Sequence, residues 1–257
     1  MKLYNKNRVT KKRGHINVKH KRVNPPSGNK AGIASTDVQV NAIIVSLKQN
    51  YLFYITLIVC ILLINKYSYK SSHLLLSILT IIPISLFGYS IHYASHFMKN
   101  KLSKNYSTIN NIFTRNVVWD SVLKYIIRVS EFHDSVHHDT CINKKYTNIG
   151  LEFMNNLLLQ GVIIIIIKQF LNCMDNKIIV FWALLYATVH NINFNITHPI
   201  THAEHHINNR TNYGIDIWDI LLGSKYDWTH IENHNDTLIN LIVITIVIIY
   251  LSRYLKL

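Results

Sequence analysis

Tyr51-Leu-Phe-Tyr-Ile-Thr-Leu-Ile-Val-Cys-Ile-Leu-Leu-Ile64 contains no charged residue, glycine or proline, and no polar stripe runs through it. A helix that is apolar all round is buried, either in a large core or in a bilayer. Four further apolar stretches follow at 72–91, 149–171, 178–192 and 237–251. A spanning helix needs roughly 17–25 apolar residues, so the shorter stretches also admit tilted spans, half-spans or interfacial helices, the fifth above all. Pro83 marks an expected kink in the second. Only Asn172 to Lys177 separates the third from the fourth, which predicts an antiparallel hairpin.

Composition agrees with a bilayer rather than a large soluble core. The 257 residues suffice for one domain with a tail. They are 49% hydrophobic and 16% charged, against about 25% charged in an ordinary soluble domain. The net charge of +14 is unevenly placed. Residues 1–40 are basic and polar, contain Pro25-Pro26-Ser27-Gly28 and show no apolar period, which reads as a disordered basic arm. Such an arm either draws the chain to anionic lipid or simply fixes topology. The resulting division is an arm at 1–40, a membrane-embedded domain at 41–236 and a C-terminal apolar helix at 237–257. Cys60, Cys141 and Cys173 match no paired spacing, so each reads as a buried or reduced thiol.

Basic flanks stay on the cytoplasmic side. Counting crossings from a cytoplasmic N-terminus returns 92–148 and 193–236 to that side. Lys99, Lys101, Lys104, Arg115, Lys124, Arg128, Lys144 and Lys145 in the first of these segments agree with that placement.

The 15 histidines are then the most informative residues. His92-Tyr-Ala-Ser-His96 ends the second stretch. His133-Asp-Ser-Val-His137-His138 lies in the first cytoplasmic segment. His202-Ala-Glu-His205-His206 lies in the second, preceded by His190 and His198. Hydropathy and basic charge alone place all three groups on one side. Residues three and four apart share a helix face, about 5–6 Å between Cβ atoms, so two imidazoles so spaced can meet one metal. Neutral imidazole suits iron, zinc, copper and nickel. One metal takes three or four protein ligands, so this many clustered histidines predict two metals. His230 and His234 repeat the HxxxH spacing but precede the fifth stretch, and they read more readily as structural. His15, His20 and His73 read as surface residues.

These boxes, in this order, resemble the fatty acid hydroxylase and sterol desaturase superfamily of membrane enzymes. The tail of the last box adds to the resemblance, with Asn212-Tyr213-Gly214 and then Trp218-Asp219-Ile-Leu-Leu-Gly223-Ser224. Leu222 stands where the family usually has an aromatic residue, and Ser224 where it usually has Thr. The resemblance covers about 75–228. It implies an all-α, integral-membrane bundle of four to five apolar helices, with a cytoplasmic helical cap holding a histidine-rich dimetal site. It implies that His92, His96, His133, His137, His138, His202, His205 and His206 are metal ligands. A further ligand on the helix before the last box matches His190, with His198 as its competitor. Asn212, Tyr213, Gly214, Trp218 and Asp219 would brace the site.

The implied cofactor is two iron ions; iron in place of zinc rests on the resemblance alone. The implied activity is oxygen-dependent hydroxylation or desaturation of a sterol, fatty acyl or related lipid, in the endoplasmic reticulum or an equivalent host membrane. The sequence holds no CxxCH, GxGxxG or HPGG motif, so a separate cytochrome b5 or ferredoxin-type donor is expected on the cytoplasmic face, and nucleic acid is not an expected partner. Two other readings use the same histidines. A metal transporter would set ligands mid-helix along a pathway. A metal-dependent hydrolase would need a carboxylate base, for which Glu131, Asp134 and Glu204 lie near the boxes.

Overall fold

Helix begins upstream of the first apolar stretch. In the computed structural model, which describes residues 34–113, 121, 124, 132, 146–171, 174–208 and 210–256, α1 (Thr36–Gln49) runs into α2 (Tyr51–Tyr67) with a bend of 66°. Residues 36–40, assigned above to the basic arm, are therefore helical. The reason is tertiary rather than periodic. Ala42 on α1 is buried against Ile220 and Ile231, far away in sequence, and packing of this kind supplies most helical stability in proteins.

The bend at Asn50 is clasped from the other end of the chain. The buried Asn50 amide donates to the Glu232 carbonyl at 2.9 Å and accepts from the His234 N–H at 2.7 Å. Asn235 adds bonds to the Phe53 N–H at 3.2 Å and the Gln49 carbonyl at 2.9 Å. Backbone groups left open by the bend are thus paired, as buried backbone requires.

The second stretch is part of one long helix, α3 (Leu74–Phe113), which continues through Pro83. The sequence reading ends this helix at 91, but 92–113 is helical as well. The third stretch comprises α4 (Tyr146–Leu157), a π-helical turn (Leu158–Val162) and α5 (Ile163–Leu171). The fourth comprises α6 (Asn176–Thr188), a second π turn (Val189–Asn193) and the short α7 (Phe194–Thr197). Asp175 caps α6 by accepting from the Lys177 N–H at 3.0 Å, and it is tied to α3 by Ser77 Oγ at 2.6 Å. After α8 (Ile200–Ile207) and α9 (Asp216–Leu221), a 3-10 turn (His234–Thr237) leads into α10 (Leu238–Leu255).

The described residues are all-helical. Four segments are long and apolar enough to cross a membrane: Leu74–His96, Tyr146–Ile166, Asn176–Thr197 and His234–Leu255. The bent α1–α2 pair makes a fifth if it counts as one span. α10 packs on α2 and α6. Leu241, Ile244 and Ile248 of α10 share a core with Phe53, Leu57 and Ile61 of α2 and with Phe181 and Trp182 of α6. The outer faces are also apolar. Ile55, Ile58 and Leu62 on α2 and Ile239, Ile242 and Ile246 on α10 are exposed, which suits contact with lipid and not with water.

Candidate metal centre

His92 and His96 lie one turn apart on α3, with ring centroids 5.3 Å apart. α8 brings His205 against both, at 4.6 and 4.9 Å between centroids. All three side chains are buried, and one ring nitrogen from each falls within 4.8 Å of the others.

The hydrogen bonds fix which nitrogens face inward. His92 Nδ1 lies 2.7 Å from the Tyr213 carbonyl, and His205 Nδ1 lies 2.6 Å from the Thr211 carbonyl. A carbonyl oxygen only accepts, so each Nδ1 carries the proton and each Nε2 presents a lone pair. His96 Nε2 stands 3.2 Å from His205 Nε2. Two ligands on one metal, with bonds of about 2.1 Å, lie roughly 3.0–3.4 Å apart. The donor set and its spacing therefore fit a metal ion. Burial reinforces the fit by pushing the His205 imidazole down to about 4, with the nearby His206 acting in the same direction and the Thr211 bond opposing. The ring stays neutral and available as a ligand.

A second group adjoins the first. His202 and His206, one turn apart on α8, bring their Nε2 atoms to 3.0 Å. Burial lowers the His206 pKa as well. His190 is buried, with its ring 5.0 Å from His202 and 5.7 Å from His92. It sits in the second π turn. A π turn takes one residue more than an α turn, so it rotates the rest of the helix by about 100°. His198 is exposed and forms the left-handed C-cap of α7, at φ 47°. Of the two competitors, the fold brings His190 to the cluster and leaves His198 at the surface. His133, His137 and His138, together with Glu131 and Asp134, lie outside the described residues.

The Asn212–Asp219 segment holds these histidines in place. Asn212 takes a left-handed conformation (φ 54°) that asparagine tolerates. Its side chain bonds the Thr201 carbonyl on α8 at 3.1 Å and the Tyr226 N–H at 3.1 Å. The buried Asp219 carboxylate accepts from the N–H groups of Tyr213 (2.8 Å) and Gly214 (3.0 Å) and from Ser224 Oγ (2.6 Å). Burial raises its pKa to about 7, while those three bonds favour the ionised form. Trp218 Nε1 donates to Ser85 Oγ on α3 at 3.0 Å, and Tyr89 Oη meets Ser224 Oγ at 2.9 Å. Gly214 lies so close to α3 that a Cβ there would stand 3.1 Å from the Tyr89 ring. The Tyr213 carbonyl is thereby aimed at His92.

Beside the cluster lies a cavity of about 90 Å³. His92, His190 and His202 line it together with apolar groups such as Leu185 and Phe194. Trp182, Glu232 and His234 line it too. Nothing in the sequence marks Trp182 or Glu232, and only a repeated HxxxH spacing marks His234. The loop carrying Glu232 is fixed by Asp216, which accepts from the Glu232 N–H at 2.6 Å and pairs with fully buried Lys225 at 2.5 Å. No protein-family model, no curated protein and no solved structure matches the chain.

Proposed function

We propose that this chain is a membrane-bound, oxygen-dependent lipid oxidoreductase, a hydroxylase or desaturase of the fatty acid hydroxylase and sterol desaturase type. The observation that supports it most is the convergence of six histidines from α3, the second π turn and α8, with the Nδ1 atoms of His92 and His205 spent on backbone carbonyls. That hydrogen-bonding pattern orients imidazoles for metal in known sites. His92, His96 and His205 would hold one iron, and His190, His202 and His206 would contribute to a second. The box at His133, His137 and His138 would complete the ligand set.

Two bound irons supply oxygen activation and cleavage of an unactivated C–H bond, chemistry that no acid–base side chain performs at an alkyl carbon. The chain's own residues do the rest. The Tyr213 and Thr211 carbonyls hold the imidazoles in one tautomer, and Asp219 and Trp218 fix the loop that carries those carbonyls. Leu185, Val189 and Phe194 line the cavity with apolar surface, which suits a hydrocarbon segment and excludes water. The basic arm and basic 92–148 segment favour a cytoplasmic site, where a cytochrome b5 or ferredoxin-type donor would deliver electrons.

Lipid profiling of cells expressing the protein, with and without oxygen, tests the proposal. Gain of one oxygen by a lipid marks hydroxylation, and loss of two hydrogens marks desaturation. The same cells carrying His205→Ala should show neither change. An unaltered lipid profile under oxygen, with the wild-type protein present and iron-loaded, would overturn the proposal.

A further inference from the structure

The bundle ends in a cluster of cations on the side away from the histidines. α2 starts at the bend where Asn50 meets His234. It is 17 residues long and so carries the chain roughly 25 Å from that bend at 1.5 Å per residue. Lys66 stands at its far end and Lys70 just beyond it. Two other elements bring cations to the same place. Arg253 Nε, in the last turn of α10, donates to the Tyr67 carbonyl at 2.6 Å. Lys177 Nζ, at the start of α6, donates to the Lys70 carbonyl. The Tyr69 N–H donates to Ser252 Oγ at 3.2 Å and holds the end of α10 against the same loop. Lys168, near the end of α5, donates to Asn176 Oδ1 beside Lys177 at 2.8 Å.

No carboxylate balances these charges. Asp175 is the only acidic residue in 65–77, 166–179 and 248–257. It is buried, and its oxygens are spent on Ser77 Oγ and the Lys177 N–H. No ion pair among the described residues involves any of the five cations. Helix electrostatics do not account for the cluster either. A cation in a last turn, as at Lys66 and Arg253, offsets the negative end of its helix. Lys177 lies in the first turn of α6, where the dipole disfavours a cation, and Lys70 lies outside α2.

The depth of the cluster selects its partner. Exposed apolar side chains run up to it, with Leu62 and Leu63 on α2 and Val247 and Leu251 on α10. Tyr67, Tyr69, Tyr250 and Tyr254 are exposed at the same end. Lys66 Nζ lies 5.1 Å from the Tyr67 ring centroid, and Lys70 Nζ lies 5.9 Å from that of Tyr69. Tyrosine gathers at the headgroup level of a bilayer, where its ring meets hydrocarbon and its hydroxyl meets water. Cations at that level face lipid phosphates.

We propose that Lys66, Lys70, Lys177 and Arg253 form a binding site for the headgroup of an anionic phospholipid, in the leaflet away from the histidine cluster, with Lys168 at its edge. The phosphate accepts charge-assisted hydrogen bonds from the ammonium groups and the guanidinium, and the acyl chains lie along the exposed apolar faces of α2 and α10. A zwitterionic headgroup brings its own cation, so the site favours a headgroup with net negative charge. This inference rests on the membrane reading of the apolar helices and not on the oxidoreductase chemistry.

The test uses the full chain in nanodiscs of mixed phosphatidylcholine and phosphatidylglycerol, with the lipids retained by the protein counted by native mass spectrometry. The wild type should retain phosphatidylglycerol at least tenfold over phosphatidylcholine, since each cation near an anionic lipid contributes roughly fivefold. Lys66→Gln and Lys70→Gln should each lower that preference roughly three- to fivefold, and the triple change with Lys177→Gln should abolish it. Lys70→Arg keeps the charge and should keep the preference. Lys48→Gln removes an exposed cation on α1, at the other end of α2, and should change nothing. Neither Lys66 nor Lys70 donates a side-chain hydrogen bond to the described residues, so the two single variants carry the test if the triple variant fails to fold. Absence of a preference in the inserted wild type, or an undiminished preference in both single variants, would overturn the site. So would displacement of the lipid by inorganic phosphate, which marks a site for a free anion, or by a polyglutamate peptide, which marks a protein-docking surface. A chain released from the bilayer by alkaline carbonate defeats the membrane reading itself. Iron content and oxygen-dependent product, measured on the same preparations, report on the oxidoreductase reading alone.

Discussion

His205 Nδ1 lies 2.6 Å from the carbonyl oxygen of Thr211, six residues further along the chain. This one contact sets the tautomer of the ring, aims Nε2 at His96 and couples α8 to the loop that follows it. Replacing His205 should therefore do more than delete one nitrogen. His205→Ala is expected to lower bound iron at least tenfold, in the range seen when the supporting shell of a metal site is cut. His198→Ala, at an exposed helix end, should leave iron content unchanged. Metal analysis of both variants after anaerobic loading checks the contrast, and equal losses would remove the distinction between the two positions.

Asp219 is expected to matter through the backbone it holds. Asn at 219 keeps the shape but turns one acceptor oxygen into a donor, facing either the Gly214 N–H or the Tyr213 N–H. Asp219→Asn should destabilise the fold by about 2–3 kcal/mol, the cost of leaving a buried donor unsatisfied. Because Tyr213 carries the carbonyl that orients His92, iron affinity should also fall by about 10–100-fold. Denaturant titration in detergent gives the first quantity and metal titration the second.

Much of this arrangement is legible in the sequence because two simple periods carry it. The apolar runs locate the helices that are long and apolar enough to cross a membrane, and i, i+4 spacing puts His92 with His96 and His202 with His206. Other features leave no local signal. α1 is held by Ala42 against Ile220 and Ile231, a contact across more than two thirds of the chain, so residues 36–40 look like more of the arm. The π turn that presents His190 has no sequence period of its own, which leaves His190 and His198 open on sequence grounds. Trp182 is one more large apolar residue in an apolar stretch until the fold sets its indole beside a cavity. The Asp216–Lys225 pair, nine residues apart across a loop, is likewise invisible to pattern reading.

Two glycines should respond in opposite directions to the same substitution. At Gly214 a Cβ would approach the Tyr89 ring at 3.1 Å and Tyr89 Cβ at 3.2 Å, and the Tyr89 hydroxyl is anchored to Ser224. Gly214→Ala should cost about 1–3 kcal/mol as an overpacked site. Gly150 lies within α4, where an added methyl group would meet nothing inside 4 Å among the described residues. Gly150→Ala should stabilise by roughly 0.5–1 kcal/mol through helix propensity alone. Thermal unfolding of the two variants, measured side by side in one detergent, decides whether close packing against Tyr89 is what the glycine provides.

The clasp at Asn50 should be sensitive to loss of its amide. Leu at 50 would leave the His234 N–H and the Glu232 carbonyl without their partners at the bend. Asn50→Leu should destabilise by about 2–4 kcal/mol, since two buried backbone groups lose their bonds. Asn50→Asp keeps the acceptor for the His234 N–H and loses the donor, so its effect should be smaller. If Asn50→Leu unfolds no more easily than the wild type, the clasp does not hold the bend.

Glu232 gives the fold a pH dependence whose sign can be worked out. Burial raises its carboxyl from 4.5 to about 8; the Asp216 charge adds to this, while Thr201 and Lys225 oppose it. The folded state therefore keeps a proton that the unfolded chain releases near 4.5. Below that value both states are protonated, and the contribution of Glu232 to stability is at its fullest. As pH rises toward about 8, the unfolded chain gains progressively by ionising, with a limiting slope of about 1.4 kcal/mol per pH unit. Above the folded pKa both states are ionised and the dependence levels off. Glu232→Gln removes the titrating group while keeping its size. The difference in unfolding free energy between wild type and Glu232→Gln should therefore change between about pH 5 and pH 8, with the wild type losing ground as pH rises. A difference that stayed constant across that interval, or grew in favour of the wild type, would place a charged carboxylate at 232 in the folded protein.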